Sequence, residues 1–253
     1  MVSIIKKVLI ISAGILTAIA ASGCYGGNKR ADVKNAISAV SEQFGADFKL
    51  KSKKFTGGTM CNVIVTCSET GDKEISVFQF DEKHPVYTDY MFVRYGDDAY
   101  SAIQKAAEKA ETECKVVVID LAVNHYPDVA YDSSSDLKTY LANNDFEIKV
   151  YIPHKLDKEG LIAEYKKLAL SLRDSGINCH TLVLGCTDTK ADLDAITPPD
   201  HIPHKREDYD TGASEAFNTS ISSVYRSLAE YCEDPDDLKD VLIKVDGVTV
   251  KKI

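Results

Sequence analysis

Tryptophan is missing from all 253 residues, which removes the commonest stacking platform for sugars; thirteen tyrosines remain, most of them expected in the core or scattered on the surface. There is no Cys-x-x-Cys pair, so neither a dithiol redox motif nor a zinc knuckle is supported. A Gly-rich phosphate loop, a Gly-x-Ser-x-Gly elbow and a His-Glu-x-x-His helix are absent too. Low-complexity tracts and internal repeats are not found. Positive charge is the scarcer sign: 30 lysines and arginines stand against 39 acidic residues, a formal charge of −9. Such a balance opposes non-specific binding to nucleic acid or to an anionic lipid surface. No nucleic-acid partner and no cofactor are expected.

What is present begins at the N-terminus. Met1–Lys7 ends in Lys6 and Lys7, and Val8–Ala21 then runs without a charge. That apolar run is shorter than the roughly 18–20 residues a bilayer-crossing helix needs, and it suits the middle of a secretory signal. It closes in Ala21-Ser22-Gly23-Cys24, which resembles the lipobox of bacterial lipoproteins. The resemblance implies that residues 1–23 are removed and that Cys24 carries a diacylglyceryl group on the extracytoplasmic face of the cell membrane. It covers only these two dozen residues, and no family is recognised for the rest. The family usually has Leu where Ala21 stands. Residues 24–28 make a short tether, which would keep the folded part near the headgroups.

Residues 29–253 are expected to form one globular domain, with a subdivision near Cys114 as the alternative. The 44% of hydrophobic residues suffices for a full core. Six cysteines follow Cys24: Cys61, Cys67, Cys114, Cys179, Cys186 and Cys232. An even count in an exported chain permits three disulfides. Five of the six lie in or beside hydrophobic strand or helix sequence, however, where a free cysteine behaves as a small apolar side chain. Reduced, mostly buried thiols are expected.

Hydrophobic spacing predicts a helix over Ala31–Phe44 stopped by Gly45, then a short Lys-rich strand over Phe48–Phe55. Strands follow at Met60–Cys67 and Glu74–Phe80, and matching apolar positions sets Cys67 opposite Ile75 and Val65 opposite Val77. Asp97 or Asp98 caps a helix to about Glu113 with Ala99, Ile103, Ala106 and Ala110 inward. Lys115–Val123 is the most apolar strand, and its unbroken run suggests a central position covered on both faces. Phe146–Ile152, a helix capped by Asp157 and closed by Gly176, and Cys179–Cys186 read as a parallel crossover. Ser214–Cys232 carries a helical stripe, and Val241–Val245 with Val248–Ile253 reads as a hairpin around Asp246-Gly247. The fold class is α+β, or mixed α/β.

Three motifs invite chemistry. His201-Ile202-Pro203-His204, beside Asp200, pairs two imidazoles, but the proline rules out a helix interior and no third metal ligand is placed; a polar loop is the better reading. Ser135-Asp136-Leu137-Lys138 matches the Ser-x-x-Lys element of β-lactamases, yet no Lys-Thr-Gly accompanies it and the Ser-rich context reads as a helix cap. Neither Asp188, Asp192 and Asp194 nor Glu233–Asp237 has the alternation of a calcium loop. No catalytic or metal-binding residue is assigned. Thr187–Thr211, long and polar, is the place to look for a local function, and losing Asp192–Lys205 should cost little apolar burial. The function expected is a lipid-anchored module binding a protein, peptide or envelope component. An enzyme such as a hydrolase with scattered active-site residues is the alternative, and a purely structural envelope role comes third.

Overall fold

In a computed structural model of the chain, residues 32–57, 60–81, 84–121, 131–203, 219–224, 241–245 and 248–252 are described. The signal, Cys24, the tether, His204, the Asp246-Gly247 turn and Cys232 lie outside them. The first helix, α1 (Val33–Phe44), starts where the Asp32 carboxylate accepts from the Asn35 amide and stops at Gly45, whose φ of 65° is left-handed. A side chain there would be strained and would also meet Ser133 Cβ at 3.2 Å, so glycine is required twice over. Ala36, Val40 and Phe44 form its buried stripe.

Four antiparallel strands follow in spatial order: β1 (Phe48–Gly57), β2 (Met60–Cys67), β3 (Glu74–Gln79) and β4 (Tyr87–Thr88). The β2–β3 register is Val65 opposite Ile75 and Val63 opposite Val77, two residues away from the pairing the apolar pattern suggested. Both registers put like with like. The connection decides between them: Ser68–Thr70 forms a 3-10 turn, and Gly71 and Asp72 adopt positive φ, which uses up more chain than a three-residue loop.

Helix α2 (Tyr90–Ala110) begins two turns earlier than expected. Asp89, not Asp97 or Asp98, precedes it, and its carboxylate accepts from the Ser76 amide at 2.7 Å, which ties the helix start to β3. Gly96 sits inside the helix at a cost of about 1 kcal/mol relative to alanine, with the Phe92 ring packed beside it. Asp97 is exposed and pairs with Lys73 at 3.2 Å.

The second sheet has the order β10-β9-β8-β7-β6-β5, with β5 (Lys115–Asp120), β6 (Phe146–Ile152), β7 (Thr181–Cys186), β8 (Thr219–Val224), β9 (Val241–Val245) and β10 (Val248–Lys252). Among the described strands only β6 and β7 pair in parallel, through α4 (Lys158–Asp174), whose N-cap Asp157 accepts from the Gly160 amide. The short α3 (Leu137–Asn143) precedes β6. This is a mixed α+β fold. Two expectations fail. The apolar β5 is an edge strand, although all but its first residue are buried. And Thr219–Val224, placed inside a helical stripe, is a strand: Thr-Ser-Ile-Ser-Ser-Val is rich in residues that lose side-chain freedom or compete for backbone hydrogen bonds in a helix. A continuous set of buried side chains joins Ala36 of α1 and Val63 of the first sheet to Ile103 of α2 and to Ile148 and Leu184 of the second sheet.

Candidate functional site

The connection after β7 is where function was sought, and much of it is built as a wall. Thr187 donates to the Ile152 carbonyl, and helix α5 (Lys190–Ala195) starts with a reciprocal cap between Thr189 and Asp192. Its spacing turns Leu193 inward, 3% exposed, and Ile196 follows at 2%. These two pack with Val117 of β5 and Tyr151 of β6 on the sheet face away from the main core. That contact explains how an edge strand is buried on both faces. Ile202 is buried as well, in the main core. The expectation that Asp192–Lys205 contributes little apolar burial is therefore wrong.

Apart from Thr187, the described polar residues of this segment lie outside. His201 is exposed and its Nδ1 is 3.0 Å from Asp200 Oδ1, a contact that holds the Asp200 carboxyl below its ordinary range. Lys190 pairs with Glu113 at 2.9 Å. Among the described residues no three histidine, cysteine, aspartate or glutamate side chains are grouped so as to hold a metal ion. Ser135 is buried and its hydroxyl accepts from the Asp132 amide, Lys138 is exposed, and Asp136 caps α3 by accepting from Thr139. The Ser-x-x-Lys match is a capping element.

At the opposite end of β5 lies a cluster that the motifs did not reveal. Tyr140 of α3 donates to Asp120 Oδ2 at 2.5 Å in a buried setting, and its ring packs against Phe146, Tyr131 and Tyr95. Burial first and the Asp120 charge second push the Tyr140 phenol well above its usual range, and Tyr131 rises for the same two reasons. The only sequence signal was a lone acid at the end of an apolar strand. A second network joins Glu69, Tyr90 and Arg94: Arg94 donates to the Tyr90 oxygen at 2.8 Å and pairs with Glu69 at 2.8 Å, stacked over the rings of Tyr90 and Tyr95.

An open groove of about 540 Å³ runs between the C-terminal part of α2 and α4, lined by Lys109, Lys166, Lys167, Ser171, Asp174 and Ser175. At its rim Lys167 bridges Glu111 and Glu164, 3.2 Å from each. Burial raises the Glu111 carboxyl, and the hydrogen bond between the two acids keeps Glu164 low. Ala110, Ala163 and Leu170 lie between these polar side chains, and the Ser171 hydroxyl donates to the Ala106 carbonyl, so the groove offers charge, hydrogen bonds and apolar contact together.

No family model and no curated protein matches the chain. Among solved structures it is similar to a DUF5037 family protein from Ruminococcus gnavus ATCC 29149, at 14% identity over 77% of this chain and 92% of that one, with a TM-score of 0.34. A likeness at that score carries no argument about function.

Cys61, Cys67, Cys179 and Cys186 are buried and Cys114 is half-buried, all five as free thiols. Burial raises Cys61 and Cys179 and pushes Cys114 up to about 11. Since the thiolate is the reactive form, alkylation of the native protein near pH 8 should be slow, with Cys114 first among these five, and complete after denaturation. Fast labelling of all five in the native state, or an intact mass short of two hydrogens per pair, contradicts this.

Proposed function

We propose that the protein is a binding module held on the extracytoplasmic face of a membrane by lipid on Cys24, with the groove between α2 and α4 as its recognition surface. The observation behind the binding role is the character of that groove: open, bordered by Lys109, Lys166 and Asp174, with Leu170 and two alanines between the charges. A protein, peptide or envelope component of mixed charge fits such a surface better than a small molecule, which favours an enclosed, largely apolar cavity. The anchor is supported by the basic start, short apolar run and Ala21-Ser22-Gly23-Cys24. Among the described residues no helix is long and apolar enough to cross a membrane. Two acyl chains on one cysteine would hold the domain, since each buried methylene contributes about 0.8 kcal/mol.

Two experiments test the reading separately. Cys24→Ala should abolish incorporation of a clickable fatty acid and leave precursor or released protein; equal labelling of mutant and wild type removes the anchor. For the groove, Lys109→Glu with Lys166→Glu should lose at least tenfold of a partner captured from the native envelope while unfolding at the same temperature. Unchanged recovery of every partner places recognition elsewhere.

A further inference from the structure

The stretch of sequence from Lys29 to the middle of β1 has a charge balance opposite to that of the molecule. Residues 29–54 hold seven basic side chains (Lys29, Arg30, Lys34, Lys49, Lys51, Lys53 and Lys54) against three acids, Asp32, Glu42 and Asp47, in a chain of formal charge −9. Four of the seven are on β1, the edge strand, where every residue from Lys49 to Lys54 is exposed. Ladder irregularities fall at Lys51 and Lys54, and extra residues of this kind bend a strand and re-aim its side chains. Lys51 meets Glu74 at 2.9 Å, an exposed pair of the kind that holds little energy. Lys49, Lys53 and Lys54 form no ion pair among the described residues.

The strand also lies beside the place where the chain arrives from Cys24. A short connection reverses the chain from α1 into β1, so the start of α1 lies toward the far end of β1. In the ladder Lys53 stands opposite Val63 and Thr56 opposite Cys61, and α1 packs against both strands. From Cys24 to Asp32 the chain spans at most about 28 Å fully extended.

We infer that β1 is a second contact with the membrane, its lysines taking anionic lipid headgroups; the inference rests on the lipid-anchor reading for its setting but not for its test. Net negative charge argues against adsorption of the molecule as a whole, yet screening over roughly 8–10 Å in physiological salt makes the local face the deciding one. A basic residue at an anionic surface strengthens partition by about fivefold. Two signals together make an anchor stable where one is marginal. Lysines on an edge strand also discourage edge-to-edge pairing with other chains; that role needs no lipid and predicts no dependence on headgroup charge.

The test uses the mature chain with Cys24→Ser, so that no acyl group contributes. Its partition is measured on vesicles of phosphatidylcholine alone and of phosphatidylcholine with about one third phosphatidylglycerol, at low and at roughly 0.5 M salt. Binding is expected only to the anionic vesicles at low salt, and Lys49→Gln, Lys51→Gln, Lys53→Gln and Lys54→Gln together should weaken it by about 100-fold or more. In the unsubstituted protein, anionic vesicles should shield these four lysines from acetylation and leave Lys109 and Lys166 reactive, a readout independent of how the variant folds. Absence of binding to anionic vesicles, equal binding by the variant, or equal shielding of Lys109 and Lys166 overturns the inference. Failure of fatty-acid labelling at Cys24 would remove the anchor instead and leave the vesicle result standing.

Discussion

A chain lacking Asp192–Lys205, bridged by Gly-Ser, is expected to lose its cooperative fold. The deletion takes away Leu193, Ile196 and Ile202, all buried, and uncovers Val117 and Tyr151 beneath the first two. Truncating one buried Leu or Ile costs about 2–5 kcal/mol, and three such losses approach the 5–15 kcal/mol that holds a domain together. The strand most affected is β5, whose edge position leaves it fewer backbone partners than a central strand. Soluble expression and a sharp unfolding transition should both disappear. Ile196→Ala isolates the contact: it should lower the melting temperature by roughly 5–15 °C, from a cost of about 2–4 kcal/mol in a domain of this size. Asp194→Ala, on the exposed side of the same helix, should change it by less than about 2 °C. A deletion variant with the wild-type melting temperature would show that the segment is a dispensable insertion.

That segment also shows what the sequence conceals. Polar residues and prolines dominate Thr187–Thr211, so three isolated apolar residues looked incidental; their spacing matters only because Val117 and Tyr151 wait on a sheet face whose existence depends on β5 pairing with β6. The unbroken apolar run of β5 was legible, but it reports cover on two faces, not position within a sheet. Local signals fared better. Asp157 caps α4 and Gly45 stops α1, as expected; Asp32 and Asp136, which were not singled out, cap α1 and α3 in the same way, accepting from amides three residues on. Local signals also misled. Gly96-Asp97-Asp98 imitates a helix start because glycine followed by aspartates suits one; the actual start depends on Asp89 reaching the Ser76 amide on β3. The groove was invisible for the same reason, since Lys109 and Lys166 belong to helices that meet only in the folded chain. The Asp120–Tyr140 bond joins residues twenty apart across a strand and a helix, and nothing in either local sequence announces the other.

Alkaline pH should unfold the protein in one steep step. Burial pushes Tyr151 up to about 12 and raises Tyr90, Tyr131 and Tyr140 further, while the same phenols in an unfolded chain ionise near 10. A group whose folded pKa is raised contributes its full stability below the unfolded value and loses it as pH climbs toward the folded one. Each phenol therefore destabilises the fold by about 1.4 kcal/mol per pH unit above pH 10. Four acting together give roughly 5 kcal/mol per unit, enough to exhaust a normal domain's stability within one to three pH units. The near-ultraviolet phenolate band should first grow as exposed tyrosines ionise, and then jump in the same narrow interval in which helical circular dichroism is lost. Tyr140→Phe provides the control. It removes the hydroxyl that donates to Asp120 and should cost about 1.5–3 kcal/mol at neutral pH, as charged hydrogen bonds do. It should also reduce the alkaline slope by one phenol. A gradual phenolate titration near pH 10 with circular dichroism intact would mean that these tyrosines reach solvent in the folded protein and that the cluster around Asp120 is open.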